Sequence, residues 1–153
     1  MAVLTARSHQ TLVEDVPGPP DQVQAYYVDL TNIAEVHPLV VSVRAVARSE
    51  TPGGYTQMWQ VKDRIPLGPF TLPTTYSASL RILEDGPVTA EARQFPAVQL
   101  NSVVSFDAVP DGTRLTESIE IIAPRPLLGI TVRQAVAAHK EMLAGIRQHF
   151  AGR

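Results

Sequence analysis

The sequence contains no cysteine, and this absence excludes several kinds of chemistry at once. Disulfides, thiolate nucleophiles and cysteine-ligated zinc or iron–sulfur sites all require that residue. The 4 histidines are dispersed and lack the H-x-x-x-H and H-E-x-x-H spacings of metal sites, so no metal is expected. Phosphate-cradling glycine motifs and the G-x-S-x-G elbow of serine hydrolases are lacking too. We therefore expect no cofactor.

Strong charge and long apolar runs are also lacking. The chain has 13 Lys and Arg against 15 Asp and Glu, a formal net charge of −2, and no basic cluster that would indicate nucleic-acid binding. Its apolar runs are only a few residues long, so no integral membrane segment is expected. Residues 1–10 lack the cationic start and apolar stretch of a secretory signal. We expect a cytoplasmic protein without a nucleic-acid partner.

The length favours a single domain. A chain of 153 residues with 44% apolar and 18% charged residues is typical of one globular unit with a real core. We expect this domain to occupy residues 1–153, with residues 1 to about 7 frayed. The sequence leaves the oligomeric state open between a monomer and a homodimer.

The last quarter of the chain, from Pro126 to Phe150, predicts one long amphipathic helix. Its apolar residues recur at spacings of three and four, which places them on one side of a helix. These are Leu128, Val132, Ala135, Val136, Leu143, Ile146 and Phe150. His139 lies on this apolar side and Met142 at its edge. A helix of this kind needs a large apolar surface to pack against.

The rest of the chain predicts short β-strands and two short helices. Ser8–Val13 is a first strand, one helix begins at Asp21, and a second, capped by Asp29 or Thr31, ends before Pro38. Six further strands are predicted over 40–48, 55–63, 70–82, 88–95, 98–109 and 113–122. The turn at residues 110–112 and other tight connections indicate an antiparallel sheet.

The inward faces of two strands stay open between alternatives. Tyr55, Gln57 and Trp59 form the better inward set by size, and Met58 lies on the opposite face of that strand. Arg93 and Gln94 likewise oppose each other, and whichever of them faces inward adds a polar group to the interior. Arg93 is expected to be solvated.

This arrangement resembles the helix-grip fold of the START, Bet v 1 and polyketide cyclase superfamily. The resemblance rests on the element order, on the sequences of residues 29–38 and 111–117, and on the helix around 138–143. It implies an α+β fold: a curved antiparallel sheet of about seven strands wrapped around a long C-terminal helix, with two short helices after strand 1. It also implies a cavity between sheet and helix, in which family members hold lipids, sterols, hormones or polyketide intermediates.

Two candidate residues carry acid–base chemistry. His139 either projects into the cavity, where it can exchange a proton with a ligand, or is a core histidine satisfied by one hydrogen bond. Glu117 lies among apolar residues of its strand and needs a partner there, either His139 or an arginine. If the protein is an enzyme, these two residues are the predicted catalytic pair.

The predicted ligand-binding set is wider. His37 either lines the mouth of the cavity or caps the end of a short helix, where a cation is favoured. Tyr76 either reaches the cavity or packs in the core. The full set is His139, Glu117, Tyr76, Trp59, Phe106, Met142, Leu143, Val136 and His37.

Three functions compete. The favoured one is binding or carriage of a small hydrophobic molecule, lipid or polyketide-like, because no dedicated catalytic spacing is visible. The second is a cyclase or aromatase that uses His139 with Glu117 or Tyr76 as an acid–base pair. The third is a protein-interaction module that uses an exposed sheet face, although the sequence shows no large apolar patch for it.

Overall fold

One antiparallel sheet of seven strands dominates the computed structural model, which describes residues 4–84, 86–94 and 96–152. The strand order is β1-β7-β6-β5-β4-β3-β2, so only the connection from β1 to β2 crosses the sheet, and it carries the two short helices. The strands are β1 Thr5–Val16, β2 Val40–Thr51, β3 Gly54–Leu67, β4 Phe70–Leu83, β5 Val88–Gln94, β6 Val98–Val109 and β7 Gly112–Pro124.

The helices are α1 Pro20–Val28, α2 Leu30–Val36 and the long α3 Leu128–Ala151, which a 3₁₀ turn at Arg125–Leu127 precedes. Asp29 caps α2, because its carboxylate accepts hydrogen bonds from the Thr31 N–H (3.0 Å) and hydroxyl (2.6 Å). The predicted helix-grip architecture is confirmed. No helix in the described ranges is long and apolar enough to cross a membrane.

Most strands extend beyond their predicted bounds, and the extensions of β1 and β3 are the largest. β1 begins at Thr5, where a frayed end was expected, because β7 runs on to Pro124 and pairs with it; residues 1–3 lie outside the described residues. β3 and β4 form a hairpin that continues to the pair Leu67 and Phe70, where a loop was expected. Gly68 makes this tight reversal possible, since its φ of +60° suits a residue without a side chain. The predicted end of the fifth strand, Phe95, also lies outside the described residues.

Burial decides the two strand faces that the sequence left open. Trp59 faces the core and is 7% exposed, whereas Met58 is 43% exposed on the outer face. Gln94 faces inward, and Arg93 faces solvent, where it pairs with Glu91 at 2.7 Å. The inward set chosen by size is therefore correct.

Helix α2 rests on α3 at a glycine. A Cβ added at Gly145 would lie 2.8 Å from Cβ of Val36 and 2.9 Å from its Cγ1. Only a residue without a side chain allows this approach, and α2 thereby holds Ile33 and His37 over the interior.

Gly145→Ala is expected to lower the free energy of unfolding by about 1–2 kcal/mol, because the clash with Val36 outweighs alanine's helix propensity. Gly129→Ala is the matched control on the same helix, since nothing lies within 4 Å of its added Cβ. The control should gain up to about 1 kcal/mol. Urea unfolding of both variants measures the difference, and equal stabilisation of the two would show that α2 is not seated in this way.

Candidate functional site

Two adjoining cavities lie between the sheet and α3. The inner one has a volume of about 130 Å³ and the outer one about 330 Å³. They share five lining residues, His37, Tyr76, Ala92, Leu100 and His139, and so adjoin each other; we name the two together the central space. Most of the lining is aliphatic, with a small number of polar groups converging on it, as is usual for small-molecule sites.

A buried hydrogen-bonded chain stands at the back of this space. Glu117 projects inward from β7 and is 0% exposed. One of its oxygens accepts a hydrogen bond from the Tyr27 hydroxyl of α1 at 2.5 Å, and the other lies 2.5 Å from Nδ1 of His139. The predicted pairing of Glu117 with His139 is present, and Tyr27 completes it. The three groups come from β7, α1 and α3, so the assembled fold is needed to bring them together.

Glu117 and His139 form an ion pair. Burial alone would raise the pKa of Glu117, but the charge and hydrogen bond of His139, with that of Tyr27, bring the pKa below its usual value. Burial alone would lower the pKa of His139, but the Glu117 carboxylate more than offsets this and raises it. Both shifts favour the carboxylate of Glu117 and the imidazolium of His139 over the neutral pair.

The free end of the imidazolium is the group offered to a ligand. Nδ1 of His139 is committed to Glu117, and Nε2 has no hydrogen-bond partner in the described part of the chain. The side chain is 17% exposed and lines both cavities. His139 thus presents an N–H donor, whose charged form Glu117 favours, to a space lined mainly by aliphatic groups.

His37 lies beside His139 but stays neutral. Their ring centroids are 5.3 Å apart in an edge-on arrangement. Burial, with repulsion from His139, lowers the pKa of His37 to about 3. Its Nδ1 accepts the Leu39 N–H at 3.2 Å, so Nε2 carries the proton of the neutral ring. Its backbone ends α2, as predicted, and the lowered pKa disfavours the cationic form that was expected at this cap.

A second titratable group faces His139 from the outer cavity. Asp63 of β3 is 7% exposed, and burial raises its pKa to about 6 despite a hydrogen bond from Tyr76 at 3.4 Å. Burial and the charge of Asp63 raise the pKa of Tyr76, which stays a neutral phenol. Nearby, Gln94 donates to the Thr74 hydroxyl at 2.6 Å and also lines the outer cavity.

Asp63→Asn is expected to stabilise the protein by about 2–3 kcal/mol above pH 6, because the native state must otherwise hold a buried carboxylate. The wild-type pKa is higher folded than unfolded, so its stability falls as pH rises from about 3.8 to about 6. The variant should lose this slope and match the wild type below pH 4. Urea unfolding across pH 3–8 measures both curves; parallel curves would show that Asp63 is not desolvated.

The structure divides the predicted ligand-binding residues into two groups. His139, His37 and Tyr76 line both cavities and Met142 lines the inner one, whereas Glu117 stands just behind His139. The other four predicted residues, Trp59, Phe106, Val136 and Leu143, do not line this space.

The four misplaced residues point inward but toward other neighbours. Trp59 lies in a depression beside α1, and its buried indole N–H has no partner in the described residues. Phe106 packs edge-on against Tyr27, with centroids 5.5 Å apart. Val136 and Leu143 lie on the part of the apolar stripe of α3 that packs into the core. The inward direction of a side chain therefore did not distinguish residues that pack in the core from residues that line the cavity.

Tyr27 and Asp63 are polar residues of the site that were not predicted as site residues. Tyr27 lies in the short helix that was predicted to begin at Asp21, and Asp63 is the last residue of a predicted strand. A signal existed for Asp63, since it follows Trp59 and Val61 at the strand period of two and so shares their buried face. No local pattern distinguished Tyr27 from its buried neighbour Tyr26.

Metal binding finds no support in the part of the chain that the structure describes. No group of three or more His, Cys, Asp or Glu side chains there has an arrangement that could hold a metal ion. A larger depression of about 740 Å³ lies on the outer face of the sheet, and most of its lining residues are polar, such as Thr11, Ser79 and Asn101. Its walls are less apolar than those of the central space.

Comparison with known proteins identifies the fold but not a close relative. No protein-family model and no curated protein sequence matches the chain. Among solved structures, it is similar to the di-domain ARO/CYC protein BexL from the BE-7585A biosynthetic pathway, with 18% identity and a TM-score of 0.74 over 96% of this chain. The match covers 51% of BexL, so the chain spans about half the length of that protein.

Two single-length structures are similar over nearly their whole chains. TTHA0849 from Thermus thermophilus is 13% identical, with a TM-score of 0.72 over 97% of this chain and 98% of that one. The Zhui aromatase/cyclase from Streptomyces sp. R1128 is 13% identical, with a TM-score of 0.65 over 94% of each chain. These likenesses confirm the predicted fold: the chain has a helix-grip fold.

Proposed function

We propose that the protein binds a small, mainly apolar molecule in the central space, and that His139 holds a hydrogen-bond acceptor of that molecule. The observation that carries this proposal is the position of His139. Its charged N–H faces aliphatic walls, while Glu117 and Tyr27 fix the ring from behind. A hydrogen bond from a charged donor in such surroundings is stronger than one between neutral groups.

The size of the space limits the ligand. Cavities of about 130 and 330 Å³ lie at or below the lower end of the range of about 300–1,000 Å³ for small-molecule sites. A compact molecule of one or two rings, or a short acyl chain, suits these volumes. Its carbonyl, carboxylate or phenolate oxygen would meet His139 where the two cavities join.

Calorimetric titration with two matched probes tests this proposal. 2-Naphthoate and 2-methylnaphthalene share a ring system, but only the first carries an acceptor. The wild type should bind naphthoate about tenfold or more tightly than the hydrocarbon, since a hydrogen bond to a charged group contributes about 1.5–3 kcal/mol. His139→Gln should remove this preference, and His9→Gln, at an exposed histidine of β1, should keep it. Equal binding of both probes by the wild type would contradict the role of His139.

A second candidate is an enzyme that uses acid–base chemistry on the bound molecule. The observation that favours it is the position of two titratable groups on one cavity: His139 as a charged donor and Asp63 as an acceptor with a pKa of about 6. A donor to a carbonyl oxygen and a base for a nearby C–H or O–H are the groups that enolisation, cyclisation or loss of water requires.

If the protein turns over a co-purifying compound, kcat should show a bell-shaped pH profile. The rate should rise through about pH 6 as Asp63 ionises and fall at higher pH as His139 loses its proton. Asp63→Asn should remove the acid limb and most of the rate. If the wild type binds the compound but does not convert it, the proposed binding function stands and catalysis on that compound is excluded.

A further inference from the structure

An apolar patch surrounds the opening of the outer cavity. It consists of Phe70 and Leu72 on β4, Leu127 in the 3₁₀ turn and Ile130 on α3, and we name these four residues the mouth patch. All four are exposed, and Phe70, at the tip of the hairpin, is 74% exposed. Leu72, Leu127 and Ile130 also line the outer cavity, so the patch and the cavity are continuous.

The two halves of the mouth patch are held together. The side-chain amide of Gln134 on α3 donates a hydrogen bond to the Pro66 carbonyl of β3, at 2.9 Å. This bond ties the β3–β4 hairpin to the first turns of α3. The patch is therefore one composite surface of two elements, and Phe70 projects from its edge.

Cationic side chains flank the mouth patch. Arg125 lies two residues before Leu127. Arg133 follows Ile130 by three residues and so lies next to it on the helix surface. Both arginines are exposed, and neither forms an ion pair with another described residue. These cations stand out on a chain whose formal net charge is −2.

We propose that the mouth patch docks on a lipid bilayer that contains anionic lipids. Exposed apolar tips enter the interfacial layer, and the arginines bind lipid phosphates, which the guanidinium group suits. The protruding hairpin tip favours a bilayer over a folded partner, which needs a broader complementary surface. The ligand would then pass between membrane and cavity without crossing water.

Co-flotation of the full chain with vesicles tests this docking. The wild type should bind phosphatidylcholine vesicles containing phosphatidylglycerol, less so without it, and less at high salt. Phe70→Glu and the double variant Arg125→Glu/Arg133→Glu should each weaken binding by about tenfold or more. Val13→Glu and Arg81→Glu are the matched controls at exposed sites of β1 and β4 far from the mouth, and both should bind within about twofold of the wild type.

Two results would overturn the proposal. One is that the wild-type protein does not float with anionic vesicles. This result would overturn the proposal even if the protein instead bound a protein partner through Phe70. The other is equal loss of binding in the mouth and control variants, which would indicate nonspecific attraction. Because naphthoate binding is measured separately in solution, failure of docking and failure of the proposed ligand binding are distinguishable.

Discussion

His139→Leu is expected to destabilise the protein by about 3–5 kcal/mol at neutral pH, because it leaves a buried carboxylate without its counter-ion. Glu117 is 0% exposed and would keep only the hydrogen bond from Tyr27. It would have to lose its charge, so its pKa should rise from below its usual value to above it. Urea unfolding at pH 7 measures the loss of free energy.

The matched variant removes all three polar partners. Tyr27→Phe/Glu117→Leu/His139→Leu should recover most of the stability lost in the single variant, because no buried polar group stays unpaired. A single variant that costs under about 1 kcal/mol, or a triple variant less stable than the single one, would show that these groups are not coupled as the distances indicate.

The contribution of Glu117 and His139 to the free energy of unfolding depends on pH, and the sign of this dependence follows from their pKa shifts. Glu117 contributes stability that is present above its unfolded pKa of 4.5 and lost as the pH falls through its lower native value. His139 contributes stability that is present below 6.5 and lost as the pH rises through its higher native value. The destabilisation by His139→Leu should therefore be largest between about pH 4.5 and 6.5 and decline on both sides.

Ala92→Phe is expected to abolish binding of small apolar molecules while the fold is kept. Ala92 lies on β5 between Ala78 of β4 and Leu100 of β6, and it lines both cavities where they join. A phenyl group there fills the space that a ligand would occupy, and overpacking costs about 1–3 kcal/mol of stability at most sites. Titration with 2-methylnaphthalene should show no saturable binding.

The control for this variant places the same side chain on another strand. Ala108 lies near the end of β6 and is exposed, away from both cavities. Ala108→Phe should bind the hydrocarbon as the wild type does. Unchanged binding by Ala92→Phe would place the ligand elsewhere, for instance in the depression beside α1 that Trp59 lines.

The architecture could be predicted because periodicity and turn residues are local. The apolar spacing of three and four along α3, the strand patterns, and the prolines and glycines between the elements gave the order of the elements, and the resemblance to a known superfamily gave the helix-grip architecture. Strand ends were missed where pairing decides them. Thr5 is in β1 only because β7 continues far enough to bond to it.

Part of the site could be predicted, because two of its residues are polar at positions where the pattern calls for an apolar residue. His139 on an apolar helix face and Glu117 on an apolar strand face both needed a partner, and each is the partner of the other. Their third member, Tyr27, gave no such signal, since a tyrosine on a buried helix face is ordinary. Whether an inward-facing residue lines the cavity or packs in the core depends on where α1 and α3 cover the sheet. The sequence pattern of one strand or helix does not contain this information. Trp59 and Leu143 were therefore wrongly predicted to line the cavity.

The most direct test of the central claim uses two methionines of the chain. Met142 lines the inner cavity, whereas Met58 is exposed on the outer face of β3 and serves as an internal control. The protein is labelled with ¹³C at the methionine methyl groups and titrated with 2-naphthoate. The Met142 signal should shift and saturate at the calorimetric Kd, while the Met58 signal should stay in place. A Met142 signal that does not move while the probe binds would contradict the claim that the ligand occupies the cavity beside His139.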